Sequence, residues 1–368
     1  MHSYRHRRTG RLLGTGLTAA ALTAAAWLPG AAAASTGWLV AFRTHSGAAT
    51  IFNGLIGVSA SGKASAWAVG GTDLSGATPG APAAERWNGK SWHAATLPSG
   101  LTGTLGAVST PAQNDAWAVS QLTGYALRWN GTAWSVAKRW PEPAHGLNRE
   151  LTGVTAFSPT NVWVFGAPGA SPGLGTWHLR GSTWHKVTGL AGEISTASAI
   201  SSTDMWAIGA DNVAPDDILV HYNGTTWQQE TSTALAGLQF GSILALSDSN
   251  VWVTATMGGS LPEHLLHFNG KAWTSQSAPS GVQLRSIAAD GQGGLWFSAD
   301  RPKASQPPLA EHRSATGTWS SHALPTGTGQ AFGMARIPGT SSLWASGYLE
   351  TNGATGSDAV IWGNGPAV

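Results

Sequence analysis

The chain has 368 residues, only 10% of them charged, with 49 glycines, 20 tryptophans and no cysteine. Such sparse charge excludes a helical protein rich in Glu, Lys and Leu, and the lack of cysteine excludes disulfides, thiolate metal sites and a lipid-bearing cysteine. The formal charge of +2 comes from Arg5, Arg7, Arg8 and Arg11; without them, 16 of the 20 basic residues face 18 acidic ones, so a nucleic-acid partner would find no basic stripe.

Residues 1–34 read as an export signal. The four arginines precede an apolar run from Leu12 to Leu28 and the small residues Ala31 to Ala34, which places cleavage before Ser35. Arg7-Arg8 is followed by Thr9, Gly10 and Arg11, a poor fit to the twin-arginine pattern, so ordinary secretion is the expected route. No later stretch is apolar enough over enough residues to cross a membrane. The expectation is a secreted, extracellular, monomeric domain over residues 35–368.

Two tryptophan columns run through that domain. Trp67, Trp117, Trp163, Trp206, Trp252, Trp296 and Trp344 recur every 43 to 50 residues. Trp92, Trp134, Trp184, Trp227, Trp273 and Trp319 follow them at 17 to 25 residues. Each unit reads as four short strands, as in Leu151 to Ala156, Asn161 to Phe165, Thr176 to Leu179 and Thr183 to Val187. A turn residue opens each second strand: Ser65, Asp115, Asn161, Asp204, Asn250, Gly294 or Ser342. Asn-Gly at 88, 130, 223 and 269 separates the third strand from the fourth, as positive-φ hairpins demand. Asn130 and Asn223 also fit a glycosylation sequon, but their recurrence in register favours the turn.

Seven four-stranded units of this length specify an all-β, seven-bladed β-propeller with antiparallel blades, because a lone blade cannot bury both of its faces. The units are expected to begin near residues 55, 105, 151, 194, 238, 284 and 332. The last lacks a fourth strand. Residues 37–43, with Trp38 as the missing member of the second column, are expected to supply it and close the ring.

The pattern Asp-x-Trp-Ala-x-Gly followed by Arg/His-aromatic-Asn-Gly-x-x-Trp resembles the tryptophan-rich repeat propellers of secreted bacterial proteins, over nearly the whole of residues 35–368. It is distantly similar to WD40-like propellers. The Asn-Gly-x-x-Trp hairpin is also similar to the tryptophan-docking motif of quinoprotein propellers, which implies inter-blade packing. No residue matches the metal or quinone ligands of those enzymes, so no cofactor and no metal are expected.

Arg86, Arg128, His178, His221, His267 and Arg313 stand six residues before the second-column tryptophans. Strand pairing would bring Asp115 to Arg128, Asn161 to His178, Asp204 to His221 and Asn250 to His267, a structural network and not a metal centre. Function is then expected in the loops of one face, at 72–83, 167–173, 211–217, 257–263, 301–308 and 349–358, and in the charged link 138–150. Candidate ligand-binding residues are Arg139, Trp140, Glu142, His145, Asp216, Asp217, Glu263 and Arg301, with Asp300 as a further loop acid. The chain lacks a Gly-x-Ser-x-Gly elbow, a His-Glu-x-x-His site and a phosphate loop, and its three tyrosines after residue 34 do not fit the sialidase pattern. Three readings follow: a non-enzymatic propeller binding an extracellular glycan or protein through one loop face, a carbohydrate-active hydrolase or lyase using the loop acids, and a structural, envelope-associated scaffold.

Overall fold

In each repeat, β-branched and aromatic residues alternate with small ones between Gly, Asn and Asp turns, and this pattern folds as short antiparallel strands. The computed structural model describes residues 37–45, 53–72, 80–141, 150–166, 173–190, 192–211, 217–258, 260–301, 306–351 and 356–368. Among them there is no helix, and 28 strands form seven four-stranded antiparallel sheets. The sheets are the blades of a β-propeller within the compact unit Ser35–Val368. Their innermost strands are Gly54–Gly62, Leu105–Ala112, Leu151–Ser158, Gly192–Ser201, Leu238–Ser247, Gln283–Ala289 and Gly329–Arg336. Each touches the next around the axis, and the last touches the first.

The ring closes through the N-terminal strand. Leu39–Arg43 pairs antiparallel with Gly356–Asn364, with Leu39 opposite Gly363 and Arg43 opposite Val360, and so becomes the outer strand of blade 7. Arg43 Nε donates to Asp358 Oδ2 at 2.9 Å, and Thr44 N–H donates to the Ala359 carbonyl at 3.0 Å. The sheet edge of blade 7 is thereby paired with its own chain.

Adjacent blades diverge with distance from the axis, so the gap between them needs small residues inside and large ones outside. Near the axis, a Cβ on Gly153 would stand 2.8 Å from the Ser195 carbonyl oxygen, and one on Gly333 2.8 Å from that of Ile56. Farther out, the first-column tryptophan of one blade packs on the second-column tryptophan of the next. Ring centroids lie 4.8 Å apart for Trp67 and Trp134, 6.1 Å for Trp117 and Trp184, 5.7 Å for Trp163 and Trp227, 6.0 Å for Trp206 and Trp273, and 5.1 Å for Trp344 and Trp92. Trp252 and Trp319 share the cluster between blades 5 and 6. At the closing junction Trp296 meets Trp38 at 5.5 Å, edge to face. Trp67 and Trp344 are fully buried, and burying surfaces of this size is the main stabilising contribution at each junction.

Six of the seven first-column rings also have a cross-strand side-chain partner, Trp344 alone facing a glycine, Gly363. His178, His221, His267 and His312 stack on Trp163, Trp206, Trp252 and Trp296, with centroids 3.8 to 4.5 Å apart. The turn residue opening the second strand fixes each imidazole: Nε2 of His178 bonds Asn161 at 2.8 Å, that of His221 bonds Asp204 at 2.8 Å, and that of His267 bonds Asn250 at 3.1 Å. Arg128 Nε takes the same role toward Asp115 at 3.1 Å.

Blade 6 departs from the expected spacing. His312, not Arg313, pairs across from Trp296, because the hairpin 314–318 is one residue longer than its counterparts at 88–91 or 223–226. The partner of His312 is Asp290, at 3.0 Å, since Gly294 has no side chain and a Cβ there would sit 2.3 Å from the Asp290 carboxylate. Arg313 points elsewhere and lies over the Trp252 ring at 4.9 Å.

The Asn-Gly hairpins are four-residue loops. Gly89, Gly131, Gly224 and Gly270 have φ between 87° and 99°, and each Asn Oδ1 accepts two backbone N–H groups, as Asn88 does from Lys90 and Ser91.

Deleting residues 35–43 strips the outer strand and Trp38 from the closing junction, and is expected to lower the melting temperature strongly, as scanning calorimetry of the two forms would measure. Asp204→Ala leaves the His221 Nε2–H without its acceptor and is expected to cost about 1–3 kcal/mol in urea denaturation.

Candidate functional site

The loop-bearing face collects the ends of second strands, the starts of third strands and the links between blades. Glu142, His145 and Asp216 lie outside the described residues. Trp140 is only 2% exposed, wedged edge-on against Trp177 and Trp184 of blade 3. The aromatic expected on an open loop thus serves the junction between blades 2 and 3, because the outer strand of blade 2 runs on to Arg139 and delivers residue 140 into the neighbouring core. Arg139 is exposed, with its guanidinium 5.5 Å from the centre of the Tyr125 ring.

Asp217 and Glu263 occupy equivalent places, four residues before the column histidines of blades 4 and 5. Asp217 Oδ2 accepts the N–H of Phe240 at 2.6 Å, and Glu263 Oε2 accepts that of Leu284. Each carboxylate holds the first turn of the next blade's innermost strand, an N–H that strand pairing leaves over. Glu263 is almost wholly buried, and burial pushes its carboxyl up to about 7. Arg301 is exposed at the end of blade 6's second strand, and its charge reaches the buried Glu311, which accepts the Ser321 hydroxyl at 2.7 Å.

What the loop face does organise is a ring of β-bulges. Every innermost strand carries one extra residue at the same depth: Ile56, Gly106, Thr152, Ser195, Gly241, Arg285 and Phe332. A bulge re-aims its residue and increases local twist. Six of these residues are uncharged and the seventh is Arg285. Its Nε donates to Asp300 Oδ2 of the same blade, and its side chain stays about one-third exposed.

Around Arg285 gather groups from three blades. Its charge acts on Glu263 of blade 5 and on Tyr348 of blade 7. Burial raises the Tyr348 phenol, and the charges of Glu350 and Asp300 raise it further. Glu350 Oε2 accepts the Thr328 hydroxyl at 2.7 Å, and the Phe332 and Tyr348 rings lie 5.7 Å apart. Burial raises Asp300 against the opposing pull of Arg285. The same face exposes three large apolar side chains, Leu122, Met257 and Leu261. Around Arg285 the arrangement offers a cation, a phenol and carboxylates close to the innermost strands. Among the described residues no cluster of His, Cys, Asp or Glu has the makings of a metal site, and no helix is long and apolar enough to cross a membrane.

Arg285 itself went unnoticed in the sequence, although its neighbours Glu263 and Asp300 were singled out and a signal for the arginine existed. Aligned on their innermost strands, the repeats read apolar-x-small, as in Leu55-Ile56-Gly57, Leu151-Thr152-Gly153 and Leu284-Arg285-Ser286. The middle residue is the bulge.

Neither the family models nor the curated proteins give a match to the chain. Solved propellers match in fold. "YCF48 bound to D1 peptide" superposes with a TM-score of 0.61 at 12% identity, covering 89% of this chain and 96% of that one. A streptogramin B lyase gives 0.60 at 11% identity, covering 89% and 98%. The extracellular domain of the putative hybrid two-component system BT4673 from B. thetaiotaomicron gives 0.55 at 12%, covering 89% of this chain and 39% of that one. Likeness at this identity establishes the propeller and leaves function to the site.

Glu85 of blade 1, like Glu263, is buried and pushed up to about 7, and its Oε2 has no hydrogen-bond partner among the described residues. A folded-state value above the unfolded one near 4.5 means that the native chain keeps a proton that the unfolded chain releases. The stabilising effect is full below about pH 4.5 and is lost as pH rises through about 7. Glu85→Gln is therefore expected to gain stability relative to the parent between pH 5 and pH 8, measured by urea denaturation at both.

Proposed function

We propose that the chain is an exported, non-enzymatic propeller that binds a polypeptide partner on its loop-bearing face. The observation that carries this reading is the break in sevenfold equivalence at the axis. Six bulge residues are small, polar or apolar, while the seventh presents Arg285 among Asp300, Tyr348 and Glu350, on a face that elsewhere exposes Leu122, Met257 and Leu261. A guanidinium left about one-third exposed beside an aromatic ring suits a peptide segment carrying a carboxylate. Two neighbours in fold are described in fitting terms, one bound to a peptide and one as an extracellular domain. The leader over residues 1–34 supports export, with Ser35 as the expected first residue of the exported form.

The acids suited to hydrolysis are already engaged. Glu263 holds the Leu284 N–H, Asp300 the Arg285 guanidinium, Glu311 the Ser321 hydroxyl and Asp358 the Arg43 guanidinium. A general acid–base pair needs carboxyls about 5 to 9.5 Å apart with one free to exchange protons with substrate. This favours binding over catalysis.

Peptide and glycan arrays probed with residues 35–368 test the proposal. Peptides bearing acidic residues are expected to be retained, and Arg285→Ala to weaken that retention about tenfold in a chain that still unfolds cooperatively. Retention of glycans alone, or of the same peptides equally by Arg285→Ala, would overturn it.

A further inference from the structure

The repeat breaks a second time, in blade 1. Five blades satisfy the cation or imidazole of their third strand with an acid or amide from the first turn: Arg128 with Asp115, His178 with Asn161, His221 with Asp204, His267 with Asn250 and His312 with Asp290. Blade 1 has Arg86 in that place, directly across from Trp67, but its turn residue is Ser65. The Arg86 Nε is buried with no acceptor among the described residues, and the Ser65 hydroxyl is likewise buried without a partner. A buried guanidinium N–H left unpaired costs more than a neutral donor does.

That guanidinium opens onto a cleft of about 520 Å³ between blades 1 and 2. The carbon at its centre lies 4.8 Å from the centre of the Trp129 ring and 5.8 Å from that of Trp67. Trp67, Trp129 and Trp134 form the apolar walls, and Leu97 and Pro98 lie along the link that leads out of blade 1. Among the described residues, Arg86 and His93 are the only ionisable ones lining the space. His93 sits at the rim, its ring nitrogen bonded to Asn88 and Ser91.

The matching cleft between blades 3 and 4 is smaller, about 350 Å³, and both nitrogens of its His178 are used, Nε2 by Asn161 and Nδ1 by the Arg180 Nε at 2.9 Å. A third cleft, at the link from blade 4 to blade 5, is lined by the acids Asp217 and Glu230. Of these three, the first alone combines aromatic walls and an unpaired cation with no acid among its described lining residues.

We propose that the cleft between blades 1 and 2 is a ligand site for a small carboxylate carried on a six-membered ring, with Arg86 holding the carboxylate and the indole faces holding the ring. The volume is that of a small-molecule pocket, and apolar walls with one placed charge are the usual construction of such sites. A carboxylate in the cleft meets the guanidinium from its open side, giving this arginine the negative partner that Asp115 gives Arg128 in the next blade, and guanidinium–carboxylate pairs are strong when shielded from water. A sugar acid and an aromatic acid share this chemistry. Indole faces accept the apolar face of either ring.

The test is calorimetric titration of the purified chain with sodium glucuronate, sodium benzoate, glucose and benzyl alcohol. At least one of the two carboxylates is expected to bind saturably while its uncharged counterpart does not, and which one binds identifies the ring. Arg86→Gln is expected to weaken that binding tenfold or more. Ser65→Asp is the sharper variant, because it installs the acid that blade 2 carries: it is expected to raise the melting temperature and weaken binding at least tenfold. Failure of both carboxylates to bind, undiminished binding by Ser65→Asp, or a lower melting temperature for that variant would each overturn the proposal. Arg285→Ala leaves this cleft untouched and is expected to bind the same acid as the parent does, so failure here is distinguishable from failure of the loop-face reading.

Discussion

The contact on which the rest of the propeller depends is the edge-on meeting of one blade's inner tryptophan with the next blade's outer one. A four-stranded sheet has two apolar faces and no helix to cover either, so each blade is stable only where its neighbours are. Trp67 against Trp134 and Trp344 against Trp92 fill the outer, wider part of the wedge between blades. Glycines such as Gly153 and Gly333 let the inner strands approach where the wedge narrows. The histidines stacked on the inner tryptophans, held by turn Asp and Asn side chains, fix the ring planes so that the edge-on geometry repeats.

Much of this was legible in the sequence because the repeat imposes one physical problem seven times. Strand number, the tryptophan columns, the closing role of residues 37–43 and the Asp115–Arg128 and Asp204–His221 pairs all follow from spacing and from the need to cover sheet faces and edges. Blade 6 shows the limit. One extra hairpin residue moved the column from Arg313 to His312, and counting back from Trp319 could not reveal where the hairpin stored that residue. Trp140 shows another: its distance from both columns marked it as irregular, but its burial depends on how far the outer strand of blade 2 continues.

The candidate sites were less legible, for a reason that lies in the repeat itself. Sequence reasoning looked for residues outside the pattern, whereas Arg285 and Arg86 stand at pattern positions and matter because their blades depart from the rule there. Arg285 is a charge where six other bulges carry none. Arg86 is a charge whose customary partner is replaced by Ser65. In a repeat protein, near-symmetry makes such exceptions conspicuous once strand registers are known, since every other blade is a control for the one that differs.

The closing strand also dictates an order of events in folding. Arg43 and Asp358, joined at 2.9 Å, are separated by 315 positions along the chain. Blades 1 to 6 are built entirely from local hairpins, but blade 7 cannot complete its sheet until nearly the whole sequence has been gathered around the axis. The entropy of closing so long a loop grows only slowly with its length, yet it must be met before the last Trp296–Trp38 contact can repay it. With no cysteine to lock the ring covalently, that final zipper of strand pairs turns a row of weakly coupled units into one that opens and closes as a whole.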